Sequence, residues 1–502
     1  MAAAGGRLNV VIRGGTVYDG TGAPGTRADV GVRGDRIVAV GAVAERGVEE
    51  LDASGLAVTP GFIDVHTHDD FAVLLQPEMD FKVLQGVTSD VVGNCGSGVV
   101  PFEAGLRRFR RLHPDADPPR WEGFGGYLER VGEARPSCNV AALMGHGSLR
   151  YGALGLEQRA PTAAELDRMR AWVREGVGAG AVGLSTGLIY EPGRYARTDE
   201  IVALARELGG PAGGLYASHM RNEADGLLDA VREAIRIGED AGVPVQISHH
   251  KASGRNNWGR VRDSLRLIDE ARARGLDVTA DQYPYVAGST SLAAVLQNGG
   301  FRADSPGGLG QLGGGDVLVA SAPKHPEWEG RTVAALASSW SLGAEAAAHR
   351  IVEGEGEACF VVVFTMDEAD VRTVMAHPTT MIGSDGVPTG GKPHPRLYGC
   401  FARVLGHYVR DEKVLDLATA VHRMTGMSAR KFQLADRGAV RAGAFADLVV
   451  FDPARIADTA TYESPRRAPT GIRAVYVNGV AVARDGVHTG ARPGRALRRG
   501  RA

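Results

Sequence analysis

Short apolar runs that alternate with turn residues dominate both ends of the chain. Near the start, these runs are LNVVIRGGTVYDG, ADVGVRGDRIVAVG and LDASGLAVTPG. Residues 438–485 continue the pattern with GAVRAGAFADLVVFDP and GIRAVYVNGVAVA. Runs of this length, bounded by glycine, aspartate and asparagine, are typical of β-strands joined by tight turns. We expect residues 1–60 and 435–502 to form one small β-domain that is built from both termini.

Between these ends, short apolar runs alternate with segments of helical apolar spacing. Segments such as ELDRMRAWVREGV, EADGLLDAVREAIRIGEDAG and VRDSLRLIDEARARG repeat apolar residues every three or four positions and end at or near glycine. Eight strand–helix units of this kind predict a (β/α)8 barrel of the TIM type over residues 61–434. The eight strand runs are GFIDVHTH, GVTSDVVGNCG, CNVAALMGHG, GAVGLSTGLIY, GGLYASHM, VPVQISHHK, LDVTADQYPY and TTMIGSDG.

One interval breaks this rhythm. The seventh run ends at Tyr285 and the eighth begins at Thr379, and the chain between them includes the glycine-rich stretch SPGGLGQLGGGD. Helical spacing is visible near residues 332–353. We interpret residues 286–350 as an insertion between barrel strands 7 and 8 that covers the mouth of the barrel, where mobile lids are usually found.

Charge and composition exclude several classes of partner. The 502 residues carry a formal net charge of −2, which gives no general attraction to nucleic acid or to an anionic membrane. No apolar run approaches the length of a membrane span, and the start of the chain does not resemble a secretory signal. Four scattered cysteines do not form a disulfide pattern, so we expect a cytoplasmic protein. The basic residues of the tail are interpreted as a solvated, frayed terminus: Arg492, Arg495, Arg498, Arg499 and Arg501.

The segment Asp64-Val65-His66-Thr67-His68 carries the strongest chemical signal. Alternate residues of a strand point to the same side, so His66 and His68 can approach one ion from a single strand end. Two partly exposed turn histidines would give the same letters. The position favours the metal site, because the segment closes the first barrel run and barrel active sites lie at the C-terminal ends of strands.

Four more candidates occupy the same position on other strands. Cys95 ends the second run, His219 the fifth, His249 the sixth and Asp385 the eighth. Taken singly, a cysteine is usually a small core residue, each histidine a hydrogen-bonded one, and an Asp-Gly pair a turn. Five strands that bring such groups to one barrel mouth predict a metal site.

The combination resembles the amidohydrolase superfamily. VTPGFIDVHTH, the single histidines after strands 5 and 6, and the SDG after strand 8 are similar to its landmarks. Hydantoinases and dihydroorotases place a carboxylated lysine after strand 4, but here that strand reads AVGLSTGLIYEPG. GNCG, GHGSLR, ASHMRNE, SHHK, IGSDG and KPHPRLYG instead resemble the N-acyl-D-amino-acid deacylase (D-aminoacylase) branch, over nearly the whole chain.

The resemblance implies a role for each site residue. His66 and His68, with Asp385 adjacent, would bind a buried α metal; Cys95, His219 and His249 would bind a β metal, and Cys95 could bridge the two. Thiolate and imidazole ligands favour one or two Zn²⁺ ions. Asp385 would act as general base and then general acid. The substrate carboxylate would be held by Lys251, Tyr190, Tyr283 and Arg396.

Three functions stay open at this point. The first is zinc-dependent hydrolysis of N-acyl-D-amino acids, including N-acyl-D-glutamate or N-acyl-D-aspartate, or of dipeptides with a C-terminal D-residue. The second is hydrolysis of cyclic amides, against which the missing lysine and the presence of Cys95 argue. The third is a non-enzymatic scaffold, which would not be expected to keep all six ligand positions.

The expected partner is a small-molecule substrate. Arg255 or Arg302 could supply a cation for acidic substrate side chains. The sequence does not specify an oligomeric state.

Overall fold

Eight parallel strands form a barrel at the centre of the computed structural model, which describes residues 7–113, 116–210, 213–302 and 307–501. Their order follows the chain, and a bridge between Thr67 and Gly386 joins the first strand to the last. All eight predicted runs contribute a strand, so the predicted (β/α)8 barrel is confirmed. The strands are β6 Phe62–Asp64, β7 Val87–Val92, β8 Asn139–Gly145, β9 Gly183–Gly187, β10 Leu215–His219, β11 Val245–Ile247, β12 Val278–Gln282 and β16 Thr380–Ile382.

Helices surround the barrel and bury their apolar faces against it, except for three that pack in the interval between β12 and β16. In the helix Leu227–Ala241, for example, Leu227, Val231 and Ile235 are buried while the charged positions face outward, and the helix ends at Gly242 with φ 71°. The helices are α1 Ala72–Leu75, α2 Asp80–Val83, α3 Phe102–Leu112, α4 Gly123–Ala134, α5 His146–Leu154, α6 Ala163–Ala179, α7 Thr198–Ala205, α8 Leu227–Ala241, α9 Val261–Ala273, α10 Leu292–Gln297, α11 Val333–Trp340, α12 Ala344–Glu355, α13 Glu368–Ala376, α14 Arg396–Arg403, α15 Leu417–Met424 and α16 Gly426–Lys431.

A nine-stranded sheet joins the two ends of the chain. Its N-terminal strands are β1 Leu8–Val17, β2 Thr26–Arg33, β3 Arg36–Gly41, β4 Gly47–Asp52 and β5 Ala57–Pro60. Its C-terminal strands are β17 Leu448–Phe451, β18 Ile472–Val477, β19 Val480–Arg484 and β20 Val487–His488. The two sets meet where β17 runs antiparallel to β5, with Val449 opposite Thr59. Both ends of the chain therefore build one sheet.

The interval between β12 and β16 has a sheet and an apolar core of its own. Its strands are β13 Ala287–Ser291, β14 Val317–Ser321 and β15 Phe360–Phe364, in the order β13-β15-β14. The core includes Val295, Leu336, Ile351 and Val361. Because β15 belongs to this sheet, the interruption extends past residue 350, where the sequence pattern placed its end. The first two residues of SPGGLGQLGGGD lie outside the described residues.

The C-terminal tail differs from the expected frayed terminus. The backbone N–H of Val140, in β8, donates to O of Arg495 at 2.8 Å, and N–H of Leu497 donates to O of Val140 at 2.7 Å. N–H of Arg499 donates to O of Gly180 at 3.0 Å. The tail is thus paired with the barrel, which a sequence of arginines does not reveal because main-chain atoms make these bonds.

In the described ranges, no helix combines the length and the apolar character needed to cross a membrane.

Candidate metal centre

The C-terminal ends of five barrel strands bring six donor side chains together. They form two groups whose donor atoms lie within 4.8 Å of one another, and Cys95 belongs to both. Its Sγ lies 3.3 Å from Nε2 of His66 and 3.4 Å from Nε2 of His249. The first group is His66, His68, Cys95 and Asp385; the second is Cys95, His219 and His249.

Three of these donor residues have backbone φ angles that non-glycine residues rarely adopt. The φ angles are 53° for Cys95, 35° for His249 and 49° for Asp385. Each of the three follows the end of a barrel strand, where the chain turns away from the mouth. Left-handed conformations of non-glycine residues cost free energy and are concentrated at functional sites. The surrounding fold therefore holds these three side chains in place at a conformational cost.

The end of the fourth barrel strand leaves no space for a side chain. A Cβ atom added to Gly187, at the end of β9, would lie 2.1 Å from the carbonyl oxygen of Cys95. The loop that carries Cys95 therefore occupies the place from which a fourth-strand side chain would project. At Gly187, the loop of Cys95 therefore excludes a lysine side chain.

The donor set fits a transition metal such as zinc. All six side chains are buried, and Nδ1 of His219 lies 2.8 Å from Nε2 of His249, which lies 3.4 Å from Sγ of Cys95. Lone pairs that converge at a buried point need a cation or protons between them. Thiolate, imidazole and carboxylate are the ligands that Zn²⁺ prefers, at donor separations of this size.

Two carboxylates orient the histidines from outside the donor groups, and sequence reasoning missed both roles. Oδ1 of Asp281 lies 3.2 Å from Nδ1 of His66 and accepts a hydrogen bond of 2.8 Å from the backbone N–H of His249. Oε1 of Glu223 lies 2.9 Å from Nδ1 of His249. Carboxylates in such positions fix the tautomer and orientation of metal-binding histidines. Asp281 precedes Tyr283 by two positions on the strand run, a spacing that could have indicated it.

A cavity of about 470 Å³ adjoins the two donor groups. Lys251, Tyr190 and Tyr283, all predicted to bind substrate, line it together with several of the donors. Nζ of Lys251 lies 2.6 Å from Oε1 of Glu223 and 2.8 Å from Nδ1 of His249. Burial alone lowers the pKa of this amine, but Glu223 outweighs it and the pKa is raised. Lys251 is therefore a cation at the edge of the cavity.

Arg396 lies deeper than the other predicted substrate ligands. Its Nη2 is 2.9 Å from Oδ2 of Asp385, and its guanidinium carbon is 4.3 Å from the centre of the Tyr283 ring. Nε and Nη1 of Arg396 and the hydroxyl of Tyr283 have no hydrogen-bond partner among the described residues. These atoms form a buried set of unsatisfied hydrogen-bond donors beside the two groups of metal-donor side chains.

Four other basic residues lie outside the cavity of Lys251. Neither Arg255, which lies exposed over Trp258, nor Arg302 is among the residues that line the cavity of Lys251. His250 is turned away from the donors and reaches Oγ of Ser264 at 2.9 Å. Nη2 of Arg108 lies 3.1 Å from Nδ1 of His68, and no sequence motif singles this arginine out.

A parallel barrel with imidazole, thiolate and carboxylate donors at its C-terminal mouth is the architecture of a metal-dependent hydrolase. A family model described as "Amidohydrolase family" matches residues 49–303 and 320–483. The chain belongs to this family. It is 43% identical to the D-aminoacylase of Alcaligenes xylosoxydans xylosoxydans over 494 residues, which cover 98% of each chain.

Two further comparisons give the same picture. The N-acyl-D-glutamate deacylase of the same organism is 42% identical and covers 98% of this chain and 97% of its own. The crystal structure of the N-acyl-D-glutamate deacylase from Bordetella bronchiseptica, complexed with zinc and a phosphonate inhibitor, is 41% identical with a TM-score of 0.89. That match covers 98% of this chain and 100% of the solved one.

Proposed function

We propose that this protein hydrolyses the amide bond of N-acyl-D-amino acids with the help of zinc, releasing a D-amino acid and a carboxylate. The observation that carries the proposal is the pair of donor groups that share Cys95, next to a cavity with a cationic Lys251. The relatives named above act on N-acyl-D-glutamate or are D-aminoacylases, and they match the chain along almost its whole length. The choice of the D hand rests on these relatives.

The six donors would hold the metal. His66, His68 and Asp385 would bind one ion, Cys95, His219 and His249 the other, and Cys95 could serve both. Zinc, when bound, acidifies water toward a pKa of about 7 and polarises a carbonyl group. Asp281 and Glu223 would keep His66 and His249 in the orientation and tautomer that the ligand role requires.

Asp385 would move the proton during the reaction. Its Oδ1 lies 3.1 Å from Nε2 of His68, inside the first donor group, so it borders the space where water and amide must meet. An amide nitrogen leaves readily only after it is protonated. Asp385 would therefore accept the proton of the attacking water at this oxygen and return it to the leaving nitrogen.

Lys251, Tyr283, Tyr190 and Arg396 would hold the free carboxylate of the substrate. A carboxylate in a buried cavity needs charge-assisted hydrogen bonds. Lys251 supplies a cation at the edge of the cavity, and the unpartnered Tyr283 hydroxyl and the Nε and Nη1 atoms of Arg396 supply further hydrogen-bond donors. The hydroxyl of Tyr190 lies 3.2 Å from Oγ1 of Thr290, in the insertion, so its position depends on that segment.

The remaining alternatives use the same scaffold. Hydrolysis of N-acyl-D-glutamate, of N-acyl-D-aspartate or of a dipeptide with a C-terminal D-residue would require the same metal and carboxylate contacts. Hydantoins lack a free carboxylate for Lys251, and the packing of the Cys95 loop against Gly187 disfavours a lysine-bridged centre. All four cysteines are unpaired and buried, which supports a reducing, cytoplasmic compartment.

A substrate panel tests this function. The zinc-loaded protein is assayed with N-acetyl-D- and N-acetyl-L-amino acids and with a hydantoin, before and after removal of metal by a chelator. We expect hydrolysis of the D series only, lost with the metal and restored by zinc. Equal rates for the two hands, or full activity in the chelator, would contradict the proposal.

A further inference from the structure

A second cavity opens from the donor groups on the side away from Lys251. It has a volume of about 890 Å³, part of which is open to solvent, and it shares His68, Cys95 and Tyr190 with the first cavity. Its wall is formed by the segments after β7, β8 and β9 and by the insertion, which also borders the first cavity, whereas Lys251 and Tyr283 follow β11 and β12 and line only the first cavity. A substrate bound across the donor groups therefore has one end in each cavity.

Three arginines of α3 line this second cavity. They are Arg107, Arg108 and Arg111, which lie on one face of the helix, while Arg110 is exposed on another. Three guanidinium groups on the wall of one cavity form an anion-binding surface rather than a solvated face. The question is how many of these charges are already neutralised.

Carboxylates of the protein neutralise only part of this charge. Glu357 pairs with Arg107, at 3.2 Å from Nη2, and also with Arg111. Glu191 lines the cavity and accepts a hydrogen bond from Tyr195. In the described ranges, no carboxylate lies within ion-pair distance of Arg108, and the buried Asp70 acts on it electrostatically only from farther away. Of the three arginines, Arg108 is therefore the one without a direct ion-pair partner there.

The position of Arg108 next to His68 leaves its guanidinium free to bind an anion in the second cavity. The Nε2 atom of His68 faces the donor group and would coordinate, so a neutral imidazole carries its proton on Nδ1. The guanidinium lies 3.1 Å from that same Nδ1. Two N–H groups cannot hydrogen-bond to each other. In the metal-loaded enzyme, Arg108 therefore needs a hydrogen-bond acceptor from elsewhere, and its open side faces the second cavity.

The geometry points to a substrate that is anionic at both ends: the arginine-lined cavity binds a carboxylate carried by the acyl group. This inference rests on the proposed function, which places the free carboxylate of the amino acid at Lys251 and the amide at the donor groups. The acyl group then extends into the second cavity, toward Arg108. A half-amide of a dicarboxylic acid, such as an N-succinyl-D-amino acid, has this shape and charge.

Matched substrates test the inference. N-succinyl- and N-acetyl-D-leucine differ only in the acyl group, and we expect kcat/KM to be at least about tenfold higher for the succinyl compound. Arg108→Gln should lower this succinyl-to-acetyl ratio by about tenfold or more, and Arg107→Gln should lower it too, because each removes charge from the same wall. Arg110→Gln, on the exposed face of the same helix, should leave the ratio unchanged.

Binding provides a readout that does not depend on turnover. Calorimetry on the metal-loaded protein should show that succinate binds more tightly than acetate, and that this difference shrinks in Arg108→Gln and Arg107→Gln but not in Arg110→Gln. Metal content is measured for every variant. If Arg108→Gln loses metal, the result for Arg107→Gln decides, because Arg107 does not contact a metal-donor residue.

The outcomes separate this inference from the proposed function. Equal kcat/KM for acetyl and succinyl substrates overturns the inference and leaves the deacylase function standing. If the arginine variants instead change the preference for N-acetyl-D-glutamate over N-acetyl-D-leucine, the arginines recognise the amino-acid side chain and the acyl assignment is wrong. A parent that hydrolyses none of these compounds overturns the proposed function and the inference with it.

Discussion

Nη2 of Arg396 lies 2.9 Å from Oδ2 of Asp385, and both side chains are buried. Burial alone raises the pKa of the Asp385 carboxyl, but Arg396, His68 and the other nearby histidines outweigh burial and hold the pKa well below its usual range. The carboxylate is therefore kept ionised in a place where water is scarce. An ionised carboxylate can accept a proton, which is the first half of the role proposed for Asp385.

Replacing Asp385 by asparagine separates proton transfer from metal binding. Asp385→Asn keeps the shape of the side chain but cannot accept a proton, so we expect kcat to fall by about 100-fold or more. Metal should remain at Cys95, His219 and His249. Steady-state kinetics and elemental analysis check both points. A variant with near-normal kcat and bound metal would exclude Asp385 as the proton carrier.

Cys95 is expected to be a metal ligand rather than a core residue. Cys95→Ala should lose about one equivalent of metal per chain together with most of the activity, because it removes the donor that both groups share. Cys138→Ala is the matched control, since Cys138 is equally buried but lies in the apolar core. Metal content is measured on both proteins. Full metal and activity in Cys95→Ala would return this residue to a packing role.

Lys251 is expected to recognise the free carboxylate of the substrate. Lys251→Met removes the cation, so KM for the free acid should rise by at least about tenfold, and kcat should also fall if the contact aligns the amide. The preference for the free acid over its amide should weaken. Lys324→Met, an exposed lysine of the insertion, is the control. A Lys251→Met protein that still discriminates acid from amide like the parent would show that the carboxylate is bound elsewhere.

Glu357 connects the insertion to α3 through Arg107 and Arg111. Because Thr290 and Leu309 of the insertion line the first cavity, we expect bound product to slow hydrogen exchange in residues 286–366. Glu357→Gln should speed exchange there in the free protein by weakening the ion pairs. Glu353→Gln, exposed on α12, should not. Exchange that is unchanged by saturating product would indicate a static segment.

Lys431 gives the stability a dependence on pH. Burial lowers its pKa to about 8 from the ordinary 10.5, although Asp277 lies 2.9 Å away. Between these two values the unfolded chain binds the proton more tightly, so this lysine makes the protein more stable as pH rises. The free energy of unfolding of the parent relative to Lys431→Met should increase from about pH 8 to about pH 10. Denaturant titrations measure it; a constant difference would mean that Lys431 titrates normally.

The barrel could be predicted from the sequence because its strands are buried and bounded by glycine and helical segments. Because the strand ends of a barrel converge, the barrel prediction also predicted that His66, Cys95, His219, His249 and Asp385 lie close together. The boundaries of the insertion could not be predicted in this way. Its strand β15 is a buried apolar run like any barrel strand, and only its pairing with β13 and β14 shows where it belongs.

The residues around the donors were harder to predict for a physical reason. Asp281 and Glu223 contact His249 across 32 and 26 residues of chain, and apart from the spacing of Asp281 from Tyr283 nothing in their own neighbourhood marks them. Arg108 stands in an arginine-rich helix, GLRRFRRL, whose pattern does not reveal which face meets the cavity. The packing of α3 against the barrel decides this, and local spacing does not encode it.

The pairing of β5 with β17 determines the order in which this protein can fold. Val449 and Thr59 are neighbours in the sheet but stand about 390 residues apart in the chain. At synthesis rates of about 5–20 residues per second, strands β1 to β5 leave the ribosome roughly 20 to 80 seconds before their partners exist. During that time β5 presents an unpaired edge to other nascent chains, a recognised route to aggregation. A lower level of expression, or a chaperone that covers this edge, should therefore raise the yield of folded protein.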